Sequence, residues 1–207
     1  MQKQEPGWPA LLALFATAGL HLAMPEELSF GPRWLLMSIV AAILIPVEIL
    51  HTRGNHKLCR PIGWAILVVV TLSMVFALVR LVIAIPDKVQ TPVALLCSAI
   101  YLWVTNIFIF AVWYWRLDAG GPHKRSARGE HTVEKAAFLF PQMTIDDIED
   151  WTPKFIDYVY LAFNTSTALS PTDAPVLSRT AKVLMMIQAS ISLTVIVLMA
   201  ARAVNIL

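Results

Sequence analysis

Thr152-Pro-Lys-Phe-Ile-Asp-Tyr-Val-Tyr-Leu-Ala-Phe-Asn-Thr-Ser-Thr167 runs into Ala168-Leu-Ser-Pro-Thr-Asp173, and from Ser178 an apolar run continues to Leu207. Thr152 and Pro153 read as an N-cap and a first helical residue. The helix they open places Phe155, Tyr158, Val159, Ala162 and Phe163 on one face. At a rise of about 1.5 Å per residue it covers only about two thirds of a hydrocarbon core roughly 30 Å thick. A helix too short to span, a polar turn and a full-length span follow one another in the order of a re-entrant segment. The alternative lays Thr152 to Asp173 along the membrane surface as an interfacial helix and loop.

The rest of the chain sets that segment in a membrane. Hydrophobic residues make up 57% and charged residues 14%, with a mean hydropathy of +0.66, too little polar surface to cover a soluble globule of 207 residues. The net charge of +2 is small and its basic residues flank apolar runs, which fits headgroup contact and topology signals and argues against nucleic-acid binding. Four further spans are predicted: Trp8 to Met24, Arg33 to His51 with a kink at Pro46, Pro61 to Ile85 closed by Pro86, and Pro92 to Leu117. The first lacks a small-x-small cleavage site and reads as a retained span. Trp113-Tyr-Trp-Arg116 has the amphipathic character of a headgroup belt.

The expected fold is therefore an all-α membrane protein of five transmembrane helices, with one re-entrant pore helix and loop between the last two. Residues 1–88 form a three-helix N-terminal membrane region and 89–207 a pore-like module. A hydrophilic connector runs from Asp118 to about Trp151; its first part, Gly120 to Gly129, has the Gly, Pro and charge content of a mobile loop without a packed core, and its second part reads as holding a short helix. Ala136-Ala-Phe-Leu-Phe140 is expected to lie flat on the bilayer, and Thr144 with Asp147 has capping-box spacing. Cys59 and Cys97 fall at opposite membrane depths and are not expected to pair.

Asp157-Tyr-Val-Tyr-Leu-Ala-Phe-Asn-Thr-Ser-Thr167, the turn to Asp173, Pro175 and Arg179 together resemble the pore module of the tetrameric potassium-channel superfamily. In that family an acidic-aromatic pore helix leads into T-x-T-T-V-G-Y-G-D, a proline, a basic residue and the inner helix. Thr165, Thr167 and Asp173 match that pattern, whereas Ala168, Leu169, Ser170, Pro171 and Thr172 replace T-V-G-Y-G. Both filter glycines are absent, so potassium selectivity is not implied: Ser170 and Thr172 do not readily take left-handed angles and Pro171 fixes its own φ. From the fourth span onward the chain also resembles an uncharacterised bacterial family of small multi-span proteins carrying this degenerate motif.

The resemblance implies a homotetramer in the bacterial inner membrane, surrounded by lipid. Its central path would pass small monovalent cations past Thr165, Ser166, Thr167, Ser170, Thr172 and Asp173, with Gln188, Ser192, Val195 and Met199 lining the conduit. Bare backbone at membrane depth must be enclosed by protein or water, and neighbouring copies would supply the enclosure. Glu48 and Arg80 are the ionisable residues expected inside spans. The acidic run Asp146, Asp147, Glu149 and Asp150 is either a cation-concentrating mouth or a solvated face.

Basic residues on the odd-numbered connections outnumber those opposite, which puts the amino terminus and the connector in the cytoplasm. Potassium channels carry the equivalent loop outside, and the orientation stays open. No H-E-x-x-H, G-x-S-x-G or C-x-x-C motif occurs, so the sequence does not read as an enzyme and calls for no cofactor or metal. A secondary transporter would show paired broken helices, and one is visible. A non-conducting structural or partner-binding membrane protein remains the principal alternative to a channel.

Overall fold

A computed structural model describes residues 7–28, 31–52, 56–87, 91–127, 136–145, 151–167 and 173–206; of these, the side chains of 27, 45–52, 56–60, 85–87, 123, 126–127 and 205–206 are not described. The described residues are all-α, without strands. The helices are α1 (Trp8–Leu22), α2 (Trp34–Thr52), α3 (His56–Asp87), α4 (Pro92–Leu117), α5 (Pro122–Ala127), α6 (Phe155–Thr167) and α7 (Arg179–Ile206), with short 3₁₀ turns at Glu26–Leu28, Asp118–Gly120 and Pro141–Thr144. Among the described residues three apolar helical stretches are long enough to cross a membrane: Pro61–Ala84 with 24 residues, Pro92–Gly120 with 29 and Arg179–Val204 with 26. At about 1.5 Å per residue each exceeds a core of roughly 30 Å.

Local chemistry explains where the helices begin. Thr91 Oγ1 accepts the Ala94 amide at 3.2 Å ahead of Pro92, and Ser178 Oγ accepts the Ala181 amide at 3.1 Å. The α6 start differs from the sequence reading, since the helix opens at Phe155 and not at Pro153. Asp157 in its first turn returns a carboxylate oxygen to the Lys154 amide at 2.7 Å, half of a capping box that also suits the helix dipole. Hydroxyls within apolar helices bond back one turn, as Thr71 does to Leu67 O at 2.6 Å and Ser190 to Met186 O at 2.8 Å. Such bonds leave little polarity exposed to hydrocarbon.

Helix α3 starts five residues before Pro61 and runs one residue past Pro86, and α2 continues through Pro46 to Thr52. The prolines thus mark these helices less sharply than the sequence suggested. The chain forms two compact units, one of Phe110–Leu193 with the beginning of the chain to Ala10, the other of Leu11–Ile109 with Thr194–Leu207. In the second, α2 packs on α3, and the turn Glu26–Leu28 rests against α3 with Leu28 fully buried. Arg33 pairs with Glu26 at 3.4 Å on the exposed side of that turn.

In the first unit, α4 leads up to the connector, α6 follows, and α7 begins. Gln188 Nε2 donates to Ala162 O at 2.8 Å, and Ser192 Oγ donates to Ser166 Oγ at 2.9 Å. Positions 162 and 166 therefore advance together with 188 and 192: α6 runs beside the first half of α7 in the same direction. Because eleven residues separate Thr167 from Arg179, the chain must reverse between them. Asp173 has already returned to the side of Tyr160, whose hydroxyl donates to its carboxylate at 3.5 Å. Ser192 lies thirteen residues into α7, which puts the end of α6 about 20 Å along that helix from its start.

Candidate functional site

The unit holding α6 is built in three levels. At the first, Asp118 follows the last residue of α4 and is fully buried. Its Oδ1 accepts the Ala137 amide at 2.7 Å and its Oδ2 accepts the Tyr158 hydroxyl at 2.6 Å. Arg125 on α5, also buried, lies 3.8 Å from Oδ2 and stacks its guanidinium 5.2 Å from the centre of the Tyr158 ring. Arg125 Nη1 further donates to Trp115 O and Asp118 O, both at 3.3 Å, so a cation sits on carbonyls at the end of α4 where the helix dipole favours it.

The connector corrects the sequence reading most. Ala136, Ala137, Phe138 and Phe140 are buried, and Phe138 has no exposed surface. The segment packs into the unit instead of lying on a bilayer. Phe138 forms an isolated antiparallel bridge with Val176, flanked by Leu139 N to Pro175 O and Leu177 N to Ala137 O, both at 2.9 Å. Its ring meets Tyr114 edge-on at 5.2 Å and Tyr158 at 6.4 Å, while Phe140 meets Tyr158 at 5.5 Å. Thr144 Oγ1 donates to Pro141 O and closes a 3₁₀ turn; its expected capping partner Asp147, and the acidic run Asp146 to Asp150, lie outside the described residues.

At the second level, the Tyr114 hydroxyl donates to Gln188 Oε1, and the Gln188 amide group reaches Ala162 O. Tyr114 and Gln188 are both fully buried, with the Thr165 hydroxyl beside the phenol. The expected headgroup belt is thus partly an internal feature, for Tyr114 and Trp115 point into the unit and Trp115 packs on Phe155. The third level is the Ser166–Ser192 pair, also buried.

Of the residues that sequence reasoning singled out, Thr165 and Ser166 are buried, Thr165 bonding to Leu161 O at 2.8 Å. Thr167 is half-buried and bonds to Asn164 O at 3.0 Å, and Asp173 is exposed beside Tyr160. Ala168, Leu169, Ser170, Pro171 and Thr172 lie outside the described residues. Gln188 and Ser192 turn their polar groups toward α6 of the same chain. Val195 is buried and Met199 half-buried. Arg80 stands on an exposed face of α3, and Glu48 lies in α2 with its side chain undescribed.

The buried face of α6 comprises Phe155, Tyr158, Leu161, Ala162, Thr165 and Ser166, so Leu161 takes the inward place expected of Phe163. The outward face is Ile156, Tyr160 and Phe163, 67%, 56% and 44% exposed. The half-buried Asp157, Asn164 and Thr167 share that outward side with the three exposed apolar and aromatic side chains. Among the described residues no group of His, Cys, Asp or Glu is placed to hold a metal ion. Asp118, Arg125, Tyr114 and Tyr158 were not singled out as a group by sequence reasoning, because they come together only when the connector folds back. No family model, curated protein or solved structure matches the chain.

Proposed function

We propose that this chain is the subunit of an oligomeric, channel-like membrane protein in which α6 and the turn after it form a re-entrant segment. One observation carries the reading: α6 runs parallel to the first half of α7, and the chain returns between them to the level of Tyr160. With α7 across a bilayer, α6 enters from the same side, descends about 20 Å and turns back. Four such subunits around an axis, as in the family the segment resembles, would enclose the turn from Ala168 to Asp173 and supply the cover that lipid cannot. In this reading α1 and α2 complete five spans, the membrane is a bacterial inner membrane, and the permeant species are small monovalent cations drawn by Asp173 and by the C-terminal end of the α6 dipole.

Gln188 and Ser192 take a bracing part in this arrangement. Their bonds tie α6 to α7 within one subunit, which leaves the conduit to the turn and to the opposite face of α7. Cation flux into proteoliposomes tests the proposal. Asp173→Asn and Thr167→Val should each reduce flux several-fold while Arg202→Gln, far along α7, should not. Flux that ignores both substitutions overturns the assignment of the path. The absence of both filter glycines favours a second reading, a non-conducting structural or partner-binding relative of such pores, and a tetramer that carries no flux would support it.

A further inference from the structure

The pore reading uses α6, the turn and α7, and leaves Asp118 without a part. Its two carboxylate oxygens hold two different elements: one the Ala137 amide in the connector, the other the Tyr158 hydroxyl on α6. A single side chain thus supplies hydrogen bonds to both the connector and α6, beside the ring contacts that Phe138 and Phe140 make with Tyr158. The joined segment, Ala136–Phe140, is also held by the packing of Phe138 on Tyr114 and Tyr158 and of Phe140 on Tyr158, and by an isolated bridge to residues just ahead of α7. It is an apolar insert between charged stretches, with Glu130, His131, Glu134 and Lys135 before it and Asp146, Asp147, Glu149 and Asp150 after it.

The backbone beside Asp118 is strained at Ala119. Ala119, Gly120 and Gly121 have φ of 51°, 82° and 97° in succession. Gly120 and Gly121 accept this region freely, but Ala119 does not, and it is held there in a buried position. Strained backbone persists where surrounding contacts over-determine it, and it gathers at elements that switch. The contacts that hold Ala119 are those of its neighbour Asp118, with Gly121 N on Asp118 O at 2.9 Å and Arg125 folded back over both.

We propose that Ala136–Phe140 is a releasable latch on α6, held shut by Asp118 and hinged at Ala119–Gly121, through which the aqueous connector regulates the re-entrant segment. The effect on flux rests on the pore reading; the mechanics of the latch do not. Opening withdraws the Ala137 amide from Asp118 and removes Phe138 and Phe140 from the Tyr158 ring, so the entry half of α6 loses one wall. Asp118 is a positioning residue here, acting on the path through Tyr158.

The test is a reversible lock. Leu139 donates its amide to Pro175 O beside the Phe138–Val176 bridge, and the two residues are half-buried and exposed respectively. Residues facing one another across an antiparallel pair lie about 4.5–5.5 Å apart at Cα, a separation that a disulfide accepts. In full-length protein with Cys59 and Cys97 replaced by serine, Leu139→Cys with Pro175→Cys is compared oxidised and reduced by flux and by amide exchange in lipid nanodiscs. Oxidation should change flux several-fold and slow exchange across the first two turns of α6. Asp118→Asn should speed exchange at Leu139 and Leu177 by about tenfold, the factor that one buried charge-assisted hydrogen bond supplies, and oxidation should reverse it. Complete disulfide formation with unchanged α6 exchange, or Asp118→Asn with native exchange at both amides, overturns the latch. Should the reduced protein carry no flux at all, the pore reading fails, and slower α6 exchange on oxidation still decides for the latch and unchanged exchange against it.

Discussion

Replacing Gln188 by leucine removes the side chain that joins α4, α6 and α7. Gln188 accepts from Tyr114 and donates to Ala162 O at 2.8 Å, with both side chains free of solvent. Each bond is worth about 1 kcal/mol net, and leaving the Tyr114 hydroxyl with only the Thr165 hydroxyl beside it adds up to about 1 kcal/mol. Leucine nearly conserves volume, so the cavity contribution is small. The expected cost is about 2–3 kcal/mol. Tyr114→Phe alone strands Gln188 Oε1 and should cost about 1–2 kcal/mol. The double variant removes both partners and should be less destabilised than the sum by about 1 kcal/mol, since neither polar group is left stranded. Reversible unfolding in mild detergent, read by near-ultraviolet circular dichroism, gives the cycle. Strict additivity would refute the claim that this pair joins the helices.

Other outcomes follow from the same geometry. Phe138→Ala should cost about 3–5 kcal/mol, because a fully buried ring between Tyr114 and Tyr158 is lost, and thermal unfolding checks it; a change below about 1 kcal/mol would mean that the connector is not packed. Asp157→Ala removes the acceptor of the Lys154 amide and should destabilise α6 by about 1 kcal/mol, seen as faster amide exchange confined to its first turn. Ala119→Gly relieves a left-handed alanine and should raise stability by about 0.5–1 kcal/mol in the same unfolding assay.

The helices were largely legible in the sequence because hydrophobic run length and capping residues are local. Helix α4 occupies Pro92–Leu117 as read, since Thr91 and Pro92 mark its start, and α7 opens one residue after Ser178 for the same reason. The start of α6 was placed too early because Thr152-Pro153 imitates a cap, while the Asp157 carboxylate fixes the amide of Lys154 instead. The first part of the connector and Ala136 to Phe140 depart from their sequence reading for a different cause. Gly120, Gly121 and Pro122 announce a turn, but nothing in their neighbourhood announces that Asp118 will meet Ala137 and Tyr158, nineteen and forty residues away. The apolar residues Ala136 to Phe140 were the available signal, and burial against Tyr158 explains them better than contact with a bilayer surface does.

The choice of conduit-facing residues on α7 shows the same limit. Gln188 and Ser192 stand out as polar groups in an apolar span, and polarity there signals either a wet path or a satisfied internal bond. Their bonds to Ala162 and Ser166 give the second outcome. Only the facing helix distinguishes the two, and the facing helix is a tertiary fact.

The central claim, that α6 descends into the bilayer beside α7, is tested most directly by nitroxide labels at Ile156, Tyr160 and Phe163, the outward stripe of that helix. In nanodiscs, the ratio of collision rates with oxygen and with a water-soluble nickel chelate reports depth. The account predicts steadily increasing depth along the stripe, by about 10 Å from Ile156 to Phe163. Equal depth at all three labels, near the headgroups, would lay α6 on the surface and contradict it.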